Sequence, residues 1–322
     1  MKKSNKSLKI YVAGHKGMVG SACVRLLESL GYTNLIVRIS KDLDLRNQSQ
    51  VYDFFRHTKP DVVIDAAAKV GGILANNEYP YQFLMENMQI QNNLIGAAHE
   101  FNISKFIFLG SSCVYPKLAP QPIKEEYLLT DYLEPTNEWY AIAKISGIKL
   151  CESIRKQFGK DFVSLMPTNL YGSNDNFDLQ TSHVLPAMIR KFHEAKENNH
   201  SDVTLWGTGS PMREFLHVDD LANAVIFALE NILPDFLYNV GSGTDVTINE
   251  LAKIIQSHVG HRGIVKWDTT KPDGTPKKLL DSSKMMQLGW SPSYNLNSGI
   301  AKTYTWFLDN KVDLKEVKFE IN

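Results

Sequence analysis

The chain of 322 residues is long enough for two domains, or for one large α/β domain with a smaller appendage, and it can bury a core without covalent staples. Its 35 Lys and Arg balance 35 Asp and Glu, so no net field draws it toward nucleic acid or an anionic membrane, and partners must be recognised locally. With 43% hydrophobic and 22% charged residues it has the composition of a folded globular protein; Cys23, Cys113 and Cys151 show neither CxxC spacing nor the density of a disulfide framework.

The basic start, residues 1–7, leads into an apolar run that ends at Gly14, too short for a signal-peptide core, and nothing later reaches membrane-spanning length. A reducing, cytoplasmic setting is expected. Short apolar runs at 8–13, 35–37, 62–66, 106–109 and 162–166 alternate with segments whose apolar residues recur every three or four positions, at 51–57, 83–101 and 140–158. That alternation predicts the α/β class: a Rossmann-type, doubly wound parallel sheet over residues 1–170, completed by segments near 203–240. Residues 171–322 are predicted to form a smaller C-terminal α/β region that binds substrate. It opens on turn chemistry at 171–176, holds a polar loop at 196–202, and shows two helix starts. One is Asp219-Asp220 ahead of 221–229; the other is Thr247, with Glu250 at capping-box spacing.

The first predicted strand runs into Gly14-His15-Lys16-Gly17-Met18-Val19-Gly20 and then an amphipathic segment. A glycine-rich turn between strand and helix lets backbone N–H groups and the helix dipole meet a pyrophosphate, so this loop is the candidate dinucleotide site. NAD selection requires a carboxylate near the end of the second strand; here that place holds Arg38 and Lys41, which with Lys16 suit the extra phosphate of NADP. A metal ion is not called for.

Tyr140 and Lys144 stand four apart at the start of a predicted helix, one turn from each other on one face. An ammonium beside a phenol is expected to lower the phenol pKa. The fourth predicted strand ends in Leu109-Gly110-Ser111-Ser112-Cys113, which brings Ser111 to the ligand crevice of an open parallel sheet.

The glycine loop, the post-strand serine and the Tyr-Lys pair resemble the extended short-chain dehydrogenase/reductase superfamily. The resemblance narrows to the GDP-L-fucose synthase family through Ala66-Ala67-Ala68-Lys69-Val70-Gly71-Gly72, Gly110-Ser111-Ser112-Cys113-Val114-Tyr115-Pro116, Met166-Pro167-Thr168-Asn169-Leu170-Tyr171-Gly172 and Pro211-Met212-Arg213-Glu214-Phe215-Leu216-His217. Similar matches run from about residue 8 to residue 308. The resemblance implies an NADPH-dependent enzyme that epimerises carbons 3 and 5 of GDP-4-keto-6-deoxy-mannose and reduces carbon 4 in the same pocket. Tyr140 would protonate the C4 oxygen, Ser111 would hydrogen-bond it, and Lys144 would hold the nicotinamide ribose. Cys113 and His183 would exchange the protons at the flanking carbons.

The same resemblance assigns the cofactor to the 14–20 loop, Arg38, Leu109, Gly110, Lys144, Pro167, Asn169, Leu170 and His183. It assigns the nucleotide sugar to Lys191, Trp206, Arg213 and Asp273, and implies a homodimer built on two long helices near 83–101 and 140–158. The chain departs from the family pattern at Ser40, where a second arginine is common, which loosens the expected selectivity for NADP. A reductase for another GDP-4-keto sugar, such as a heptose, without epimerisation is the alternative. A non-catalytic dinucleotide-binding protein is the third.

Overall fold

Short runs of β-branched and aromatic residues set the strands, and the amphipathic stretches between them set the helices. The computed structural model describes residues 5–179, 181–271, 273–312 and Leu314. Its first half runs β1 (Ile10–Ala13), α1 (Met18–Ser29), β2 (Leu35–Ile36), α2 (Gln48–Thr58), β3 (Val62–Asp65), α3 (Ile73–Glu78), α4 (Pro80–Glu100), β4 (Lys105–Leu109), α5 (Glu138–Phe158), β5 (Asp161–Pro167) and β6 (Asn169–Tyr171). The second half runs α6 (Val184–Glu197), β7 (Asp202–Trp206), β8 (Met212–His217), α7 (Val218–Glu230), β9 (Leu237–Val240), β10 (Asp245–Thr247), α8 (Ile248–Val259), β11 (Ile264–Asp268), β12 (Lys277–Lys278), α9 (Ser283–Gln287) and α10 (Leu296–Asn310).

Six strands form the central sheet in the order β2-β1-β3-β4-β5-β9, every neighbour parallel. Side chains alternate with the two-residue period of a strand. Tyr11, Ala13, Val63, Phe106, Phe108 and Phe162 pack beneath α2, α4 and α5, while Ile10, Val12, Ile64, Ile107, Leu109 and Val163 pack beneath α1 and α7. Both faces are therefore covered, as a parallel sheet requires. The strand order reverses at β1, which has β2 on one side and β3 on the other. The crevice beyond the carboxyl ends of these strands is where such a sheet binds ligands.

The C-terminal region has its own core, with Phe177, Phe192, Leu251, Ile255 and Phe307 among its members, inside α6, α8 and α10. Around it lie the sheet β10-β8-β12, with β6 paired to β8, and the separate pair β11-β7. Of the segments expected near 203–240 to complete the central sheet, β9 does so; β7 and β8 do not. Strand β7 alternates between buried and exposed residues, and a half-exposed strand has no place in a sheet covered on both faces. The helix expected at 221–229 begins earlier, with His217 as its cap accepting the Asp219 N–H at 3.3 Å, and Asp219 and Asp220 fall in its first turn. At Thr247 the capping box forms as the spacing predicts, with both reciprocal bonds to Glu250. Among the described residues no helix is long and apolar enough to cross a membrane.

Candidate active site

The glycine loop lies at the reversal point of the sheet. Gly14 has φ +74°, a left-handed conformation, and a Cβ there would lie 2.6 Å from the Ala66 carbonyl oxygen at the end of β3. A Cβ at Gly20 would collide with the Gly14 carbonyl. The turn is thereby drawn tight against α1, for which Gly17 is the N-cap, and the first amides of that helix are left for a phosphate. Met18 and Val19 lean on the core below.

Beside the loop is a cleft of about 320 Å³ lined by Gly14, His15, Lys16, Gly17, Arg38, Ile39, Ser40 and Lys41. None of these residues is acidic and three are cations. Arg38 is fixed by a 2.7 Å bond from Nη1 to the Val37 carbonyl and lies 5.5 Å above the Phe54 ring. Burial, reinforced by Lys16, pushes the His15 pKa down, so the imidazole adds no competing charge. The cradle and the cationic cleft fit a dinucleotide with an additional phosphate on its adenosine ribose.

At the far end of the crevice the β4 and β5 ends converge. Gly110 N–H donates to the Leu165 carbonyl at 2.9 Å, and Lys144 Nζ donates to the Leu109 carbonyl at 2.8 Å. The Asn169 side chain donates to the Glu214 carbonyl at 2.8 Å, tying β6 to β8, and Pro167, Asn169 and Leu170 follow at the carboxyl end of β5.

Ser111 caps a short 3-10 turn and accepts the Cys113 N–H at 3.4 Å. Tyr140 is half-buried, its ring edge-on to Phe83 with centroids 6.3 Å apart. The expectation that Lys144 lowers the phenol pKa does not hold here. Burial, aided by the negative potential of Cys113 and Asp65, pushes Tyr140 well above its ordinary value. Lys144 is turned to Leu109 and sits 5.9 Å from the centre of the Tyr140 ring. A phenol held protonated is the state a proton donor needs.

Cys113 is buried, and burial raises its pKa, while Lys278, Ser111 and Lys144 favour the thiolate. His183 is the N-cap of α6 and keeps an exposed surface amid dense surrounding protein. That desolvation, with the field of Lys278, pushes its pKa down. Lys278 was not singled out from the sequence. It stands on β12 opposite Arg213 of β8 and acts electrostatically on Cys113, His183 and Arg213. The available signal was the basic pair Lys277-Lys278, four positions after Asp273, a residue that the resemblance assigns to the nucleotide sugar.

The remaining residues expected to hold the nucleotide form a neighbouring group. The Trp206 ring, 59% exposed, has Lys191 Nζ at 5.8 Å and Lys271 Nζ at 5.5 Å from its centroid, so a flat apolar face is bracketed by cations. Lys271 belongs to the segment Lys271-Pro272-Asp273-Gly274-Thr275-Pro276 that resembles the family, and it was given no role from the sequence. Asp273 accepts from the Thr208 N–H at 2.7 Å and from its hydroxyl at 2.8 Å, and these bonds push its pKa down. Arg213 lies between this group and Lys278; burial lowers its pKa, and Asp273 opposes that. Among the described residues no cluster of three His, Cys, Asp or Glu side chains is arranged to hold a metal ion.

Residues 10–241 match the model of the NAD dependent epimerase/dehydratase family. The chain is 58% identical to GDP-L-fucose synthase 1 of Arabidopsis thaliana, covering 95% of each protein. It is 54% identical to GDP-L-fucose synthase of Escherichia coli K12, over 94% of this chain and 97% of that one. Among solved structures it resembles MlghC, a GDP-mannoheptose C4 reductase from Campylobacter jejuni with NADP bound, at 38% identity and a TM-score of 0.87, covering 94% of this chain and 99% of that one.

Proposed function

Because the chain belongs to the NAD dependent epimerase/dehydratase family and, within it, to the GDP-L-fucose synthases, we propose that its crevice performs both halves of that reaction: proton exchange at C3 and C5, and reduction at C4, of a GDP-4-keto-6-deoxy sugar. The enzyme is an NADP-dependent oxidoreductase. Residues 14–20 and Arg38 hold the dinucleotide, which supplies the hydride when bound. The protein's own part is to place the ketone and to move protons. The observation that carries the reading is the convergence of Cys113, His183 and Arg213 on Lys278, beside Ser111 and Tyr140. A reductase needs only the proton donor; a second pair of titratable groups with altered proton affinities is what epimerisation requires.

Protons on C3 and C5 are acidified because the carbanion left behind delocalises onto the C4 oxygen. Cys113 and His183 remove and return them, with Lys278 favouring the thiolate of one and the neutral imidazole of the other. Charge on the C4 oxygen is met by donors already in place, the Ser111 and Tyr140 hydroxyls, so little reorganisation accompanies the reaction. Tyr140 then delivers its proton to that oxygen as C4 is reduced. Arg213 and Lys191 suit the diphosphate, Trp206 offers its face to the base, and Asp273 accepts from hydroxyl or base donors.

Residues 171–322 act mainly as the substrate-binding region, and the protein works in the cytoplasm as a homodimer. The paired helices α4 and α5 support the dimer, since they expose Tyr81, Met85, Trp139, Ile142 and Phe158. Similarity to a GDP-mannoheptose C4 reductase keeps a second reading in view, reduction without epimerisation. Incubation in heavy water with GDP-4-keto-6-deoxy-mannose and no NADPH separates the two. The bifunctional enzyme incorporates deuterium at C3 and C5; a reductase alone incorporates none. A panel of GDP-4-keto hexoses and heptoses, read by NADPH oxidation, then fixes the sugar.

A further inference from the structure

One ionisable group at the carboxyl end of β3 has no part in the chemistry above. Asp65 interrupts an otherwise apolar strand, is completely buried, and takes one hydrogen bond, from the Ala67 N–H to Oδ1 at 3.1 Å; Oδ2 has no partner among the described residues. A buried carboxylate oxygen without a donor destabilises a fold unless a charge lies nearby to offset it.

The sheet register shows what faces it. Ala13, Asp65, Phe108 and Ser164 form one row across β1, β3, β4 and β5, on the face that α5 covers. Lys144 Nζ sits 4.7 Å above the ring of Phe108, the immediate neighbour of Asp65 in that row. Lys144 is itself 3% exposed, and its modest set of contacts is one carbonyl and two aromatic faces. Gln91 on α4 donates to the Ala143 carbonyl and to Ser146 Oγ at 2.8 Å, which fixes α5 at the turn carrying Lys144. The titratable groups around Asp65 are Lys144, Tyr140 and Cys151 from α5 and Tyr11 from β1; Cys113 acts in turn on Lys144 and Tyr140.

We infer that Asp65 is the internal counter-ion of Lys144, a positioning residue that keeps the ammonium charged under the Tyr140 phenol and so sets the alkaline limit of the reduction. This rests on the reading of Tyr140 as proton donor. Burial alone drives Lys144 toward the neutral amine, and the carboxylate opposes that. The same negative charge keeps Tyr140 protonated. Burial pushes the Asp65 pKa up to about 6 despite Lys144, so at neutral pH the carboxylate is ionised and its burial is unfavourable to folding. A residue that weakens the fold while supporting a reactive group is the pattern of a functional site.

The test is Asp65→Asn, which keeps the shape and removes the charge, with Asp65→Leu as an apolar second variant. Losing the negative charge lowers the proton affinity of both Lys144 and Tyr140. The alkaline limb of kcat for the reduction therefore moves to lower pH, by about two pH units for charges a strand spacing apart at an effective dielectric of about 20. NADPH affinity measured against pH, without any sugar, loses its Lys144-dependent part over the same lower range. The melting temperature at neutral pH does not fall. An unchanged alkaline limb in both variants overturns the inference, as does a melting temperature that falls together with kcat at every pH, which marks a structural role. Absence of turnover in the unchanged protein sinks the substrate reading instead, and the NADPH titration still decides the role of Asp65.

Discussion

Replacing Tyr140 by Phe removes a single oxygen and leaves the ring edge-on to Phe83, so the fold gives up almost nothing. The phenol is held protonated by burial, and the substitution deletes the donor in the form that the reaction uses. Loss of a positioned general acid costs roughly 10²–10⁴ in rate, and loss of one donor to a developing oxyanion costs about 3 kcal/mol. These describe the same hydroxyl and do not add, so kcat for reduction is expected to fall by about 10²–10⁴. NADPH affinity should change by less than about twofold, because Lys144 keeps its bond to the Leu109 carbonyl and the Gly14–Gly20 cradle is untouched. The assay is single-turnover NADPH oxidation at saturating substrate, with cofactor affinity measured separately by fluorescence. Turnover within about tenfold of the unchanged enzyme, or a parallel loss of cofactor binding, would refute the assigned role.

Cys113→Ser should depress deuterium exchange at C3 and C5 by about 10² or more, while reduction of an already epimerised substrate falls far less; equal losses would make the thiol structural. Arg38→Ala removes an exposed guanidinium from the cationic cleft and is expected to raise KM for NADPH about tenfold, some 1–2 kcal/mol, with NADH unaffected; a matching loss for both cofactors would place Arg38 outside the phosphate site. His217 is buried, and burial depresses its pKa from 6.5 to about 4. The unfolded chain therefore binds the extra proton in that window, and stability is lost as pH falls from 6.5 toward 4, by up to about 3 kcal/mol from this imidazole. Urea unfolding across the window measures the slope, and His217→Gln should flatten it; an identical slope in the variant would refute the assignment.

The architecture was legible because the physics behind it is local. Apolar residues at 10–13, 62–64 and 106–109 are buried on both faces, and a sequence shows that as near-continuous hydrophobicity. Glycines at 14 and 20 were readable for the same reason, since no larger side chain fits where one turn crosses another strand. What could not be read depends on pairing across long stretches of chain. Lys278 comes to Cys113 because β12 aligns with β8, 65 positions away at Lys278↔Arg213, and no spacing rule predicts that register. The placement of β7 failed likewise, because its partner β11 lies 62 positions on, at Asp202↔Ile264, and no spacing rule predicts that pairing. Asp65 was absorbed into an apolar run, although a carboxylate in a doubly covered strand is itself the anomaly that marks it. The direction of the Tyr140 shift was misjudged because an ammonium one helical turn away was weighed without the desolvation that the folded crevice imposes.

That both halves of the proposed reaction fit in one crevice follows from where charge appears. Removing a proton from C3 or C5 and adding hydride to C4 each place negative charge on the same C4 oxygen, so one set of donors serves both. What differs is the proton traffic, and the chain separates it over very few residues. Ser111, proposed to meet the oxygen, and Cys113, proposed to meet the flanking carbon, are joined by one 3-10 turn in which the Cys113 N–H donates to Ser111 Oγ at 3.4 Å and the Ser111 hydroxyl favours the thiolate. A displacement of the serine therefore displaces the thiol. Two cations divide the electrostatic labour in the same way, Lys144 held beneath Tyr140 by the Leu109 carbonyl and Lys278 held among Cys113, His183 and Arg213 by the pairing of β12 with β8. Because Lys278 stands on β12 and Lys144 on α5, changes in β12 can weaken the Cys113–His183 pair without touching the bond from Lys144 to the Leu109 carbonyl. The separation is one of position and not of field, since Cys113 still feels Lys144 and acts on Tyr140, so a change that removes the thiol also shifts the proton donor.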